Sequence, residues 1–320
     1  MAQADTVTLN ASGATFPAPL YQRWFAEYNK IHPDVQVNYQ GTGSGAGIKA
    51  FTGGLTDFGA SDAAMTDTEI AAVKDGGVLL LPMTAGSIVL SYNLPGVTDS
   101  IKLPRSVYPA IFLGQITKWN DPKIAAANPG VALPDLPITV AYRADGSGTT
   151  FNFTGHLAAI SADFKAKVGQ GKLVKWPVGV GGKGNDGVSA LIKQTPGTIG
   201  YVEFGYAQQI KLPMATLENQ AGKFIVPTAD SGAAALGQVT LPDNLRAFIT
   251  DPPGDGSYPI VTYTWWLVHA QYSKPGVATT IKALAAWCLT DGQKFAPELG
   301  YLPLPSNVVE KVQAAAATIK

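Results

Sequence analysis

One cysteine, Cys288, is all the chain has, so an internal disulfide and a cysteine-based zinc cluster are both excluded. It sits in the apolar stretch Ala283-Leu284-Ala285-Ala286-Trp287-Cys288-Leu289, a setting for a packed thiol rather than a reactive one. Histidine is scarce too. His32, His156 and His269 show no metal-ligand spacing, and none stands beside a candidate nucleophile. Only 14% of residues are charged, and the two signs balance at 23 each. A neutral chain gains no general attraction to nucleic acid or to an anionic membrane, so nucleic acid is not expected as a partner. Trp265-Trp266 lacks interleaved basic residues and fits hinge or core packing better than a base-stacking surface. The most apolar run, from Val78 to Leu90, is short and interrupted by Pro82 and Gly86, so no segment is expected to span a bilayer.

What the chain does have is 35 glycines and 23 prolines in 320 residues, a length that suits two domains with many defined turns. Short alternating strands at residues 6–9, 35–39 and 57–60 lead into helical patterns, as expected of an α/β chain. Three of these strand-to-helix junctions are built from glycine and hydroxyl residues: around Thr15, around Ser44, and at Ser147 to Thr149. Such junctions put helix N-termini at the carboxyl ends of strands, the edge where open α/β sheets bind ligands. Gly179 to Gly187 is glycine-rich but lacks the phosphate-loop spacing, and is expected to form a turn with Asp186 capping a helix.

The stretch Arg143-Ala144-Asp145-Gly146-Ser147-Gly148-Thr149-Thr150 is the best candidate for chemistry. A strand over 138–142 delivers Arg143, whose planar guanidinium suits tetrahedral oxyanions, and Asp145 two residues on would share its face and orient it. The following turn offers hydroxyls and unpaired backbone N–H groups at the positive end of a helix dipole. Gly-Ser-Gly-Thr alone fits an ordinary polar hairpin or N-cap; the arginine on the incoming strand points to an anion site. Asp62 has two readings by itself, an exposed N-cap for a helix near residues 66–73 or a functional carboxylate.

Strands and helices at both ends, with a separate α/β run between them, predict a discontinuous first lobe over 1–84 and 259–320 and a second over 85–258. Two crossing segments would form the hinge. Residues 211–256 carry the weakest pattern. At the start, Ala2-Gln3-Ala4 before Asp5 has the small-x-small form of a signal-peptidase site, in which case the native protein is exported. An ordinary initiating methionine before small residues fits the same positions.

The chain resembles the periplasmic phosphate-binding proteins of bacterial phosphate ABC importers, the PstS family. The likeness runs in order through Gly13-Ala-Thr-Phe-Pro-Ala-Pro19, Asn38-Tyr-Gln-Gly41, Gly43-Ser44, Asp57-Phe-Gly-Ala-Ser-Asp62, Arg143-Ala-Asp-Gly-Ser-Gly-Thr149, Lys175-Trp-Pro177, Gly181 to Gly187 and Gly200-Tyr-Val-Glu203. The resemblance implies a type II periplasmic-binding-protein fold, two α/β lobes with a ligand cleft between them. It also implies a monomer that hands inorganic phosphate to the importer's membrane permease subunits, with no cofactor and no metal. The family's ligand positions carry over to Thr15, Phe16 through its backbone N–H, Ser44, Asp62, Arg143, Ser147, Gly148 through its backbone N–H, and Thr149, with Asp145 as the partner of the arginine. Tyr142 departs from members that carry a second arginine there. Asp62 would then accept the proton that phosphate carries and sulfate at neutral pH lacks.

Rival functions are a phosphohydrolase using Ser147 or Ser44 as nucleophile, a receptor for another oxyanion such as sulfate or molybdate, and a phosphate sensor that serves no transporter. Gly146-Ser147-Gly148 is not the Gly-x-Ser-x-Gly elbow, which counts against the hydrolase.

Overall fold

The computed structural model describes residues 6–74 and 77–320; the Ala2-Gln3-Ala4 pattern lies outside them. Among the described residues there are eleven strands: β1 (Val7–Gly13), β2 (Val35–Gly41), β3 (Phe58–Ser61), β4 (Val78–Tyr92), β5 (Lys102–Leu103), β6 (Thr139–Arg143), β7 (Val180–Gly182), β8 (Thr198–Glu203), β9 (Thr216–Glu218), β10 (Phe224–Ile225) and β11 (Val261–His269). The chain divides into two compact units. The first takes the chain up to Ala85 with Leu241–Ala247 and Tyr263–Lys320; the second takes Gly86–Thr240 and Phe248–Thr262.

In the first unit β1 pairs in parallel with β2 and β3, and β11 runs antiparallel on β3, with Trp265 opposite Ser61 and Val268 opposite Phe58. The helix Ala18–Ile31 follows β1 and turns Tyr21, Trp24, Phe25 and Tyr28 inward, the stripe that its apolar spacing predicts. Tyr21 and Phe25 pack against Trp266, and Phe58 lies 4.7 Å from the same indole. Trp265 and Trp266 are thus core residues, both essentially buried. Cys288 is buried on the helix Val277–Leu289, and burial pushes its thiol well above the ordinary range.

In the second unit the order is β4-β8-β6-β7, with β8 antiparallel to β4 and parallel to β6, and a small sheet β10-β9-β5 beside it in sequence. Phe112, Phe153, Trp176 and Tyr201 form its aromatic core, Phe153 stacking on Tyr201 at 4.4 Å. Residues 173–176 form no strand, and Trp176 packs in this cluster; within Gly179 to Gly187, expected as a turn, Val180–Gly182 forms β7.

The chain changes unit inside β4 and inside β11, and also on either side of Leu241–Ala247. The expected lobe boundaries kept residues 241–247 with 85–258. In the structure the Trp265 indole N–H donates to the Leu245 carbonyl at 2.7 Å, which holds this segment to the first unit. Pro82 and Gly86, expected as interruptions, lie inside the 15-residue β4. Proline keeps φ in the extended range and removes only one ladder donor, so a strand tolerates it where that donor is not used. Within residues 211–256, Asn219 supplies the order that pattern alone does not reveal. Its side-chain N–H groups donate to the Gly254, Asp255 and Ser257 carbonyls.

Candidate functional site

Each unit carries one cluster of the expected residues, at the carboxyl ends of its parallel strands. In the first, β1 ends at Gly13, and its backbone packs so closely on β3 that a Cβ would lie 2.0 Å from the Ala60 carbonyl oxygen. The Ala14 N–H donates to that same oxygen at 2.9 Å. Thr42 and Gly43 both donate their amides to the Gly13 carbonyl at 2.8 Å, and Gly43 (φ +93) then opens the helix Ser44–Thr52. On that helix a Cβ on Gly47 would come 2.4 Å from the Gly13 Cα, so glycine lets the helix sit directly on the strand ends. These contacts fix Ser44 at the helix N-terminus, next to the end of β3.

Asp62 is the residue after β3 and is 1% exposed. Its backbone N–H donates to Ser44 Oγ at 3.2 Å, and Ser44 Oγ lies 3.4 Å from Asp62 Oδ2. Thr264 Oγ1 donates to Asp62 Oδ1 at 2.9 Å. Asp62 does not cap the next helix. Asp67–Ala71 is capped by Thr66, whose hydroxyl takes the Glu69 amide while Glu69 takes the Thr66 amide, a complete capping box. Thr15 and Phe16 lie in the turn after β1, both buried, with the Phe16 carbonyl accepting from the Tyr301 hydroxyl at 2.6 Å.

In the second unit β6 ends at Arg143, so Asp145 is not on the strand with it. The chain bends after Arg143, and the pair still forms: Nε and Nη2 donate to Asp145 Oδ1 at 2.8 Å and Oδ2 at 2.5 Å. Burial alone would raise the Asp145 pKa. The Arg143 hydrogen bonds and charge, with the Gly184 amide at 3.0 Å, outweigh that and hold the carboxyl below its ordinary value. The Gly184 amide opens the helix Gly184–Gln194, and Asp186, expected as its cap, lies instead in the first turn with no side-chain cap made. With one edge of the guanidinium occupied, the Nη1 edge faces Thr149, whose Oγ1 lies 3.4 Å away.

Ser147 caps the helix Gly148–Ile160, its Oγ accepting the Thr150 amide at 3.0 Å. Gly148 and Thr149 are then the first helical residues, whose amides have no carbonyl one turn earlier to bond. Thr149 Oγ1 accepts from Arg143 Nη1 and from Asn185 Nδ2 at 3.3 Å, so its own proton is left to donate. Ser147 Oγ accepts the cap amide, and its hydroxyl proton is likewise left to donate. The cluster presents a guanidinium edge, two hydroxyl protons and two helix N-terminal amides, a donor-only array for an anion.

Three residues that shape these clusters were not among the expected site residues, although Asn185 and Tyr201 lie in the stretches Gly181 to Gly187 and Gly200 to Glu203 that carry the family resemblance. The Tyr201 hydroxyl accepts the Arg143 amide at 3.0 Å and pairs with Thr150 Oγ1 at 2.6 Å, and burial pushes its pKa to about 12. Asn185 holds Thr149 and accepts the Glu203 amide. Thr264 holds Asp62. A threonine in the apolar run Thr262 to Val268 is the one hint, since a buried hydroxyl needs a partner. Among the described residues no cluster of three His, Cys, Asp or Glu side chains could hold a metal, and no helix is long and apolar enough to cross a membrane.

This architecture falls in a known class. A family model described as a PBP superfamily domain matches residues 2–291. A solved high affinity periplasmic phosphate-binding protein, bound with phosphate at pH 8.5, shares the fold with a TM-score of 0.78 at 20% identity, covering 96% of this chain and 93% of that one. The class is therefore the two-lobed periplasmic-binding-protein fold. Phosphate-binding protein PstS of Pasteurella multocida is 42% identical over 315 residues, 98% of this chain and 90% of its own. The protein of the same name from Xylella fastidiosa is 40% identical over 316 residues, 98% and 85% respectively. The chain belongs to the PstS family of phosphate-binding proteins.

Proposed function

We propose that this chain is a receptor for inorganic phosphate in the periplasm, delivering it as a monomer to the membrane permease subunits of an ABC importer. One phosphate takes its donors from both clusters: the Thr15, Ser44, Ser147 and Thr149 hydroxyls, the Phe16 and Gly148 amides, and the Arg143 guanidinium held by Asp145. Asp62 accepts the hydrogen that phosphate carries. No cofactor enters this scheme. Relatives and a solved neighbour that bear the name of phosphate-binding proteins support the choice of ligand.

The observation that carries the proposal is the buried Asp62 carboxylate, held by hydroxyl groups at a strand end. A carboxylate facing a fully ionised oxyanion is repelled and gains no hydrogen bond from it, a penalty of roughly 1–3 kcal/mol or more at a buried acceptor. A protonated oxyanion removes that penalty. A receptor for sulfate or molybdate would place a donor there instead.

Chemistry by serine is disfavoured by the same geometry. Ser147 Oγ is occupied as a helix cap, Ser44 Oγ takes the Asp62 amide, and His156 pairs its Nε2 with Tyr108 at 2.7 Å. The site binds and releases its anion unchanged. Binding energy spent on one anion by two units shifts an equilibrium toward the closed form that an importer recognises.

Titration calorimetry of Asp62→Asn tests the proposal. Phosphate affinity should fall and the phosphate-to-sulfate ratio should narrow by about tenfold or more. An unchanged ratio would remove Asp62 from the selective role. Vesicles carrying the importer's membrane subunits should take up phosphate when this protein is added, and no uptake would reject the delivery step.

A further inference from the structure

We infer that Asn185 is a positioning residue for the anion: its carboxamide fixes the Thr149 hydroxyl as a donor and leaves that proton for the bound oxyanion. The inference rests on the phosphate-receptor proposal and concerns the second unit alone. Asn185 is fully buried in the first turn of the helix Gly184–Gln194. That turn is pressed onto the end of β7, where a Cβ on Gly182 would come 2.7 Å from the Gly187 carbonyl carbon and 2.8 Å from the Val188 nitrogen. The Gly182 carbonyl accepts the Ala144 amide at 2.9 Å, next to Arg143. One helix start therefore serves both arms of the cluster. The Gly184 amide holds Asp145, the partner of Arg143, and the Asn185 side chain holds Thr149.

Which way the carboxamide faces follows from its neighbours. The Glu203 amide lies 3.0 Å from one end of it, and a backbone N–H can only donate, so that end is the oxygen. Glu203 is itself fixed there, because its carboxylate takes the Gly205 and Tyr206 amides at the start of the helix Phe204–Gln209. The other end, 3.3 Å from Thr149 Oγ1, is then the NH2 group, which accepts no hydrogen bond. Arg143 Nη1, 3.4 Å from the same oxygen, is also a donor and nothing else.

Thr149 Oγ1 thus has two donor neighbours, and neither can take its proton. Among the described residues no carbonyl or carboxylate accepts from it. Thr149 is fully buried, and a buried hydroxyl proton without an acceptor costs free energy. An oxyanion oxygen supplies that acceptor. A charged oxygen is the stronger acceptor, so the hydrogen that phosphate carries belongs on another of its oxygens.

Asn185→Asp keeps the shape and the oxygen that meets Glu203, and replaces the NH2 group by a second acceptor. The Thr149 proton then has a competing partner inside the protein. A double-mutant cycle with Thr149→Val, read as phosphate dissociation constants by titration calorimetry, is the test. Asn185→Asp should cost about tenfold or more beyond what it costs in the Thr149→Val background, where there is no hydroxyl to redirect. An added carboxylate also repels the anion, and it can loosen the fold; both effects persist without the hydroxyl, so the cycle separates them from the positioning role. If the aspartate variant does not fold, Asn185→Ala goes through the same cycle, with a coupling of about threefold or more.

A wild type that binds no phosphate would overturn the receptor proposal itself. If the wild type binds while the Asn185 variant costs the same factor in both backgrounds, Asn185 does not act through Thr149. Phosphate binding by Asn185→Asp within about twofold of the wild type would equally remove the role.

Discussion

Asp145 and His156 show how burial acts on single groups with opposite results. Asp145 is held below its ordinary pKa by Arg143 and Gly184, so it contributes stability above the unfolded carboxyl value, and that stability is lost as pH falls through the lower folded value. Asp145→Asn should therefore be less stable than wild type at pH 7 and should lose less on acidification below about pH 4, as read by denaturant unfolding. It should also weaken phosphate binding, because the guanidinium loses its charged anchor. His156 is pushed down to about 4, chiefly by burial, with Asp251 opposing and Arg105 adding to the shift. Below its unfolded value the unfolded chain binds a proton that the folded chain refuses, so stability falls from about pH 6.5 toward the folded pKa. Between pH 7 and pH 5 that loss should be about 2 kcal/mol, and it should be absent in His156→Gln. Equal pH slopes in the two proteins would contradict a neutral buried imidazole.

Elements place these residues, and the glycines at their junctions decide how close they come. Gly47→Ala would set a Cβ 2.4 Å from the Gly13 Cα, with no flexible side chain there to give way. It should lower the melting temperature and weaken phosphate binding together, because the helix carrying Ser44 must lift from the strand ends. Gly256→Ala meets nothing within 4 Å and should leave both within error, with stability changed by no more than about 0.5 kcal/mol. What was legible in sequence follows the same division. Arg143, Asp145, Ser147 and Thr149 act within one turn of each other, so their constellation survives in a short motif even though Asp145 proves to lie past the strand. Asp62 and Thr264 are 202 residues apart, and only the pairing of β11 with β3 joins them. Tyr201 and Asn185 stand in stretches that the resemblance marks, but their contacts to Arg143 and Thr149 are long-range and show only in the fold. β4 was obscured because Pro82 and Gly86 are punctuation locally, yet a long strand flanked by partners absorbs them.

At the scale of the whole molecule, the family is defined by similarity along nearly the full chain, while the ligand scheme is carried by a few atoms. Phosphate at about a thousand times its dissociation constant should stabilise the protein by roughly 4 kcal/mol, visible as a rise in melting temperature. Arg143→Ala should abolish that rise, and it should also lower stability without ligand, because the Asp145 carboxylate loses the partner it is buried against. Sulfate at the same concentration should produce little. The most direct test of the central claim, that a buried carboxylate accepts a hydrogen from the bound anion, is calorimetric titration of the wild type with phosphate and with sulfate at pH 6 and pH 8. The account predicts one phosphate per chain at both pH values, with sulfate weaker by about a hundredfold or more. Sulfate binding as tightly as phosphate at pH 8 would contradict it.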